Sequence, residues 1–299
     1  YSCLAIVIMT RLFKSEEILF GDSSGSLHVM ESRKNMRVKQ IPGMGDCVLL
    51  MAILLLVLLF IGSTTVLHIG LYGLILEQVL FFAVTAFYCW YIKADVKRLF
   101  PMKRPGVKAI FGSLFSWAGT YILMLLLGGA LTYVFSHGEG ADQNELLTLW
   151  EDAPLFLVIL SIAFFPAVCE ETVFRGFLLG TLKNKYKPVV AVVASGLIFG
   201  LYHMNAVQFF TVGILGILLS YVVYNHNCIF LSIGMHFLNN LTSVLISHFE
   251  EPLSARFPTI FGDSPDPVSI IGLVVTGIVL LLIGIWLLPA SDTNKKDLH

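Results

Sequence analysis

The chain has 299 residues, of which 57% are hydrophobic and only 13% are charged, and its formal net charge at pH 7 is -1. This composition is too apolar for a soluble domain of average residue usage, so it predicts a protein that crosses a membrane several times. A nucleic-acid partner is not expected, because no basic arm or basic patch with interleaved aromatic residues is present.

The first part of the chain differs from the rest. The opening YSCLAIVIMTRLF has no initiator methionine and predicts the end of a helix that starts in a longer protein. Residues 11–46 form a polar linker, which predicts a domain boundary near 40–46 and a separate segment at 1–46. The stretch RLFKSEEILFG, within residues 1–21, resembles the segment that closes the last membrane helix of ABC-2 type exporter permeases. That resemblance implies a fused or associated ABC exporter as a partner.

About eight apolar segments long enough to span a bilayer follow the linker. They lie at 47–67, 70–92, 109–135, 154–180, 188–208, 209–225, 228–248 and 268–290. The sequence therefore predicts an all-α fold, a polytopic transmembrane helical bundle of about eight helices over residues 47–290. Residues 291–299 are expected to form a cytoplasmic tail.

Loop charges predict the orientation of these helices. Residues 93–108 contain six Lys or Arg and one Asp, whereas residues 136–153 contain five Asp or Glu and no Lys or Arg. Positively charged loops face the cytoplasm, so the first loop is expected inside and the second outside. Alternation then places the lysines of 183–187 and of the tail inside. We expect a multi-pass protein of the cell membrane.

Three of the predicted helices carry pairs of residues four positions apart, which lie on one face of a helix. These pairs are Glu171 with Arg175, Phe199 with His203, and His236 with Asn240. Glutamate precedes arginine in the order that favours an ion pair. Glu170 points about 100° away from Glu171 and has no assigned partner. Because ionisable residues inside a membrane are costly and mark function, we predict an intramembrane polar active-site cluster.

Glu170 and His203 are expected at a similar depth. They lie almost equally far from a hairpin turn at 183–187, so a carboxylate and an imidazole can meet there. Pro166 has no N–H to donate to the Ile162 carbonyl, which predicts a kinked helix.

The remaining features of these helices give further expectations. Gly196 and Gly200 form a GxxxG pair that allows close approach of another helix. His236 lies about eight residues from the cytoplasmic end of its helix, so it reaches the depth of Glu170 only if the lysine hairpin projects beyond the membrane. Glu77 is a lone acid, which we interpret as near-interface or structural.

Such a cluster supports hydrolysis. A glutamate and a histidine can hold and deprotonate a water, while a second histidine and an asparagine amide can donate hydrogen bonds to an oxyanion. Glu170, His203 and His236 also form a His2Glu set, so zinc is an alternative. Taken singly, the histidines and Asn240 are typical of polar contacts between membrane helices.

The three pairs belong to longer motifs. EETVFR (170–175), FGLYH (199–203) and HFLNN (236–240) resemble, in this order, the EExxxR, FxxxH and HxxxN motifs of the CPBP family. These intramembrane proteases are also called the Abi or type II CAAX prenyl endopeptidase family. The resemblance implies the following roles: Glu170 activates water with His203, His236 and Asn240 support the oxyanion, Glu171 and Arg175 form a supporting pair, and Phe199 is a packing residue.

The resemblance also implies the activity and its partners. It implies an intramembrane endopeptidase that uses a glutamate-activated water and no cofactor, although the family was long classed as metalloproteases. The substrate would be a peptide or a membrane protein in the lipid bilayer. Eukaryotic relatives cut prenylated CAAX peptides, and many bacterial relatives are linked to bacteriocin self-immunity, peptide maturation or virulence regulation. The competing hypothesis is a non-proteolytic transport or immunity accessory protein, in which the cluster relays protons or ions.

Overall fold

The computed structural model describes residues 27–28, 31–135, 153–261 and 266–288. These residues form helices joined by short connections, which confirms the all-α class. Several expectations fall outside the described residues. They concern the opening helix end with its permease-like stretch, most of the acidic loop at 136–153, and the tail at 291–299.

The helices are named here in chain order. They are α1 Met44–Ile69, α2 Leu71–Tyr91, α3 Val96–Leu99, α4 Val107–Phe135, α5 Leu155–Leu182, α6 Pro188–Leu201, α7 Ala206–His226, α8 Ile229–His248, α9 Glu250–Arg256, α10 Pro258–Phe261 and α11 Pro267–Leu287. Within the described ranges, seven of them (α1, α2, α4, α5, α7, α8 and α11) are long and apolar enough to cross a membrane. The chain is therefore a polytopic helical membrane protein.

The predicted span at 188–208 is wrong. α6 has 14 residues, so it is about 21 Å long, which is less than the roughly 30 Å of a hydrocarbon core. The chain turns at residues 202–205, where Met204 has a φ of 53°. Asn205 then caps α7, because its side-chain oxygen accepts a hydrogen bond from Gln208 N at 3.0 Å. Hydropathy alone did not reveal this turn, which is flanked by apolar residues on both sides.

The GxxxG prediction for α6 is confirmed. A Cβ atom at Gly196 would collide with the backbone of Ile217, and one at Gly200 would lie 2.6 Å from the carbonyl oxygen of Phe209. The absence of side chains at these two glycines therefore lets α6 and α7 pack with their backbones in contact. This hairpin carries Phe199 in the last turn of α6 and His203 in the turn that follows the helix.

The segment after α3 sets the height at which α8 begins. The Phe100 ring packs against Gly176 in α5, leaving no room for a Cβ atom there. The next residue, Pro101, accepts a hydrogen bond from Ile229 N at 2.8 Å. Residues 100 and 101 therefore connect the start of α8 to α5, which continues for six residues beyond Gly176 to Leu182.

This connection brings His236 close to Glu170. His236 lies seven residues from Ile229, about 10.5 Å along α8, and its Nε2 is 3.9 Å from Glu170 Oε2. The two side chains are thus at the same height.

A buried carboxylate ties α1 to α2. Asp46 is fully buried, and its oxygens accept hydrogen bonds from Tyr88 Oη at 3.0 Å and from the backbone N–H of Gly43 at 3.0 Å. His28 Nδ1 lies 2.5 Å from the same carboxylate. The end of the polar linker is therefore packed against the two helices that lie beside α5.

The α6–α7 contact gives a stability prediction. Gly196→Ala should lower the free energy of unfolding by about 1–3 kcal/mol, because the added methyl group forces the two backbones apart. The measurement is thermal unfolding in detergent, followed with a thiol-reactive dye that reports exposure of the buried cysteines Cys47, Cys89, Cys169 and Cys228.

Gly129→Ala is the matched control. Gly129 lies in α4 with open space around its Cβ position, so this change should leave the unfolding temperature unchanged or slightly higher. Equal losses of stability in both variants would contradict the close packing of α6 on α7.

Candidate active site

Glu171 and Arg175 form an ion pair inside the bundle. Arg175 Nη1 lies 2.7 Å from Glu171 Oε1, and both side chains are fully buried. Arg175 Nη2 donates to the Gly216 carbonyl at 3.1 Å, and the guanidinium lies 4.3 Å from the centroid of the Phe199 ring. The pair predicted from spacing is therefore present, and it connects α5 to α6 and α7.

Phe199 lies at the centre of the cluster. Its ring is fully buried and packs edge-to-face against His203 and His236, at centroid distances of 5.1 and 5.6 Å. A third edge-to-face contact joins it to Phe174 at 5.0 Å. The ring therefore fixes the spacing between two imidazoles and the Arg175 guanidinium.

His236 lies between the two neighbouring glutamates. Its Nδ1 is 3.0 Å from Glu171 Oε1, and because a carboxylate accepts hydrogen bonds, Nδ1 is the nitrogen that donates. Its Nε2 lies 3.9 Å from Glu170 Oε2, which is too far for a direct hydrogen bond. The Glu171 contact thus sets the tautomer of the neutral ring and turns Nε2 towards Glu170.

Glu170 has a different environment from Glu171. Its side chain keeps 14% of its surface exposed, and its Oε1 accepts a hydrogen bond from Gln78 Nε2 of α2 at 3.0 Å. No guanidinium or ammonium group is bound to it in the described structure. Glu170 is therefore held by a neutral amide, while Glu171 is held by a cation.

His203 does not hydrogen-bond to Glu170 in the described structure. Its Nδ1 lies 3.1 Å from the Phe199 carbonyl oxygen, so Nδ1 is the donor and Nε2 of the neutral ring is free of a proton. His203 is nevertheless close to His236, because both imidazoles pack edge-to-face against the Phe199 ring. The imidazole that faces the Glu170 carboxylate most closely is that of His236.

Asn240 binds the carbonyl that Pro166 leaves without a helical donor. Its Nδ2 donates to Ile162 O at 2.9 Å, and its Oδ1 accepts a hydrogen bond from Asn239 Nδ2 at 3.1 Å. Both ends of the amide are therefore assigned. One N–H of Nδ2 is used by Ile162, and the second N–H has no assigned acceptor.

Sequence reasoning missed Gln78. It lies in α2, 92 residues from Glu170 along the chain, and belongs to none of the three motifs. The available signal was the dipeptide of Glu77 and Gln78 within an otherwise apolar segment. Glu77 is also buried, and its carboxyl group packs against Gly62 of α1.

The sequence offered zinc, held by Glu170, His203 and His236, as an alternative to a site without a metal. Within the described ranges, no group of three His, Cys, Asp or Glu side chains is arranged to hold a metal ion.

Fold and site together define a polytopic membrane protein with carboxylates, imidazoles and amides gathered inside its helices. Residues 152–242, from the start of α5 to the middle of α8, match the family described as type II CAAX prenyl endopeptidase Rce1-like. This match includes all three motifs and confirms the resemblance seen in the sequence. It supports, at the level of the family, a membrane endopeptidase with a peptide substrate. Neither the curated proteins nor the solved structures give a match.

The buried ion pair gives a second prediction. Arg175→Met should cost about 3–5 kcal/mol of folding stability, because it leaves the Glu171 carboxylate buried without its cation. Adding Glu171→Gln to Arg175→Met should recover part of that loss. Both are measured by thermal unfolding in detergent.

Arg98→Met is the control for this experiment. Arg98 forms an exposed pair with Asp95 at 3.7 Å, with 67% of the arginine side chain accessible, so its loss should cost less than about 1 kcal/mol. If Arg175→Met and Arg98→Met were equally stable, the buried pair would not be important for the fold.

Proposed function

We propose that the protein is an intramembrane endopeptidase in which Glu170 acts as the general base on a water that attacks a peptide carbonyl. The observation that carries this proposal is the contrast between the two glutamates. Glu171 is neutralised by Arg175, whereas Glu170 is partly exposed and bound only by a neutral amide. A carboxylate without a bound cation keeps its capacity to accept a proton.

The geometry at Glu170 suits a single water. An oxygen atom about 2.8 Å from both Glu170 Oε2 and His236 Nε2 fits their 3.9 Å separation, with an angle of about 90° at the water. That angle is close to the angle between the two O–H bonds of water. Both atoms are acceptors, so one water can donate a hydrogen to each and keep an oxygen lone pair for attack.

Proton and electron movements follow from this placement. Glu170 takes a proton as the water oxygen bonds to the carbonyl carbon, and the carbonyl oxygen becomes an oxyanion. The unused N–H of Asn240 is the proposed donor to that oxyanion, with the amide held in place by Ile162 and Asn239. Protonated Glu170 then gives its proton to the leaving nitrogen as the C–N bond breaks.

The other motif residues have supporting roles in this proposal. His203 Nε2 is the second imidazole nitrogen able to accept a proton, as the family resemblance implies for water activation. Asn205, in the turn after α6, and Gln208, in the first turn of α7, are exposed close to His203 in the sequence. Because α6 has only 14 residues, we propose that this turn lies inside the membrane. Irregular backbone at such depth is tolerated where it lines a water-filled cavity or is buried in protein. This turn is therefore the proposed route for water.

The proposed substrate is a peptide or membrane protein in the cell membrane, reached from the cytoplasmic side or laterally. The matched family is described as a CAAX prenyl endopeptidase family, so a prenylated CAAX peptide is the first substrate to test. The competing hypothesis, an accessory protein that cuts nothing, predicts that its biological effect survives combined loss of Glu170, His203 and His236.

Glu170→Gln tests the base directly. It should lower the rate of peptide cleavage by about 10²-fold or more, because the amide cannot take a proton from water. The assay measures release of fluorescent product by purified protein in liposomes, from a farnesylated CAAX peptide and the same peptide without the lipid.

Glu251→Gln is the matched control. Glu251 lies exposed in α9 and contacts none of the motif residues, so this variant should cleave like the wild type. Full activity of Glu170→Gln would exclude Glu170 as the base, and an inactive wild type on both peptides and on membrane-protein substrates would favour the accessory protein.

Chelation gives a separate prediction. Treatment of the wild type with a strong chelator should leave the cleavage rate unchanged, because the proposed water is activated by a carboxylate and imidazoles of the protein and not by a metal ion. The measurement is the same product-release assay before and after chelation. Loss of activity that returns on addition of zinc would contradict the proposed mechanism.

A further inference from the structure

Gln78 is the residue outside the motifs that contacts the proposed base. It is 8% exposed and lies on the buried face of α2, and its Nε2 donates to Glu170 Oε1 at 3.0 Å. Its own Oε1 is buried and has no hydrogen-bond partner in the described structure. Glu170 is therefore the contact that orients this amide.

The orientation of the Gln78 amide follows from charge. With the amide reversed, its carbonyl oxygen would face a carboxylate oxygen, and two acceptors repel each other. The N–H group must therefore point towards Glu170. This donor occupies Oε1, so Oε2 is the oxygen left to face His236 Nε2 at 3.9 Å.

A neutral donor is suited to a general base. Arg175 brings a full positive charge to Glu171, which stabilises the ionised carboxylate and opposes proton transfer to it. An amide fixes the direction of a carboxylate with a much smaller electrostatic effect. The two glutamates are thus held by different kinds of partner, although they are adjacent in sequence.

We propose that Gln78 is a positioning residue, which holds Glu170 Oε1 so that Oε2 receives the proton of the attacking water. This inference rests on the proposed function, because it assigns Glu170 as the base. The proposed role adds α2 to the helices that form the site, and it assigns a function to a polar residue outside the three motifs.

The kinetic test uses Gln78→Met, which keeps the length of the side chain and removes the donor. It should lower kcat for the farnesylated peptide by about 10- to 100-fold, because a misaligned base costs rate, while KM stays unchanged. Gln78→Asn is a milder second variant. Its amide is one methylene shorter and falls short of Glu170, so kcat should fall in the same direction.

Val79→Met is the matched control on the same helix. Val79 is 41% exposed and lies beside Gln78 in the sequence, so the same methionine there should change neither kcat nor KM. Thermal unfolding of all four proteins separates a loss of rate from a loss of fold.

An infrared measurement tests the contact without any assay of activity. The carboxyl band of Glu170 is identified as the band lost in Glu170→Gln, and it should shift in Gln78→Met but not in Val79→Met. A shifted band with a kcat loss at constant KM supports the positioning role.

The remaining outcomes separate the two proposals. If wild-type protein cleaves peptide while Gln78→Met keeps its kcat, or if the band does not move, the positioning role is overturned and the proposed function stands. If the band shifts but wild-type protein cleaves no substrate, the proposed function fails, and the positioning role in catalysis fails with it.

Discussion

The buried pair of Glu171 and Arg175 is the interaction on which the rest of the site depends. A charged side chain is energetically costly in hydrocarbon, so each of the two charges needs interacting groups within the protein. Arg175 meets this need with the Glu171 carboxylate, the Gly216 carbonyl and the face of Phe199, while Glu171 also receives His236 Nδ1. These contacts join α5 to α6, α7 and α8, so the need to satisfy one ion pair gathers the motif helices around a common point.

The same pair separates the roles of two adjacent glutamates. Consecutive residues on a helix point about 100° apart, so Arg175 can reach Glu171 without reaching Glu170. His236 then links the two, because its Nδ1 is held by Glu171 and its Nε2 is thereby turned towards Glu170. The supporting carboxylate thus sets the tautomer of the imidazole that faces the proposed base. The buried ion pair and the proposed base are therefore coupled through one imidazole ring.

Sequence reasoning succeeded for contacts that depend on one helix or on a simple hairpin. The Glu171–Arg175 pair follows from spacing, and close packing at Gly196 follows from GxxxG. It failed where the contact depends on how distant segments meet. Gln78 reaches Glu170 only because α2 packs beside α5, and α8, which carries His236, begins at a hydrogen bond to Pro101, next to the Phe100 ring that packs on Gly176. No periodicity within a motif contains that information.

The interruption of the predicted span at 188–208 has a physical consequence for the site. Hydropathy extends that span to residue 208 because few polar residues interrupt the apolar sequence, yet Asn205 caps α7 and ends the continuous helix. A helix that stops short leaves polar backbone and side chains at a depth where lipid cannot satisfy them. Hydrolysis needs water at the same depth as the peptide bond. The interruption that hydropathy overlooks, the turn after α6 in which His203 lies, is therefore a feature that the proposed chemistry requires.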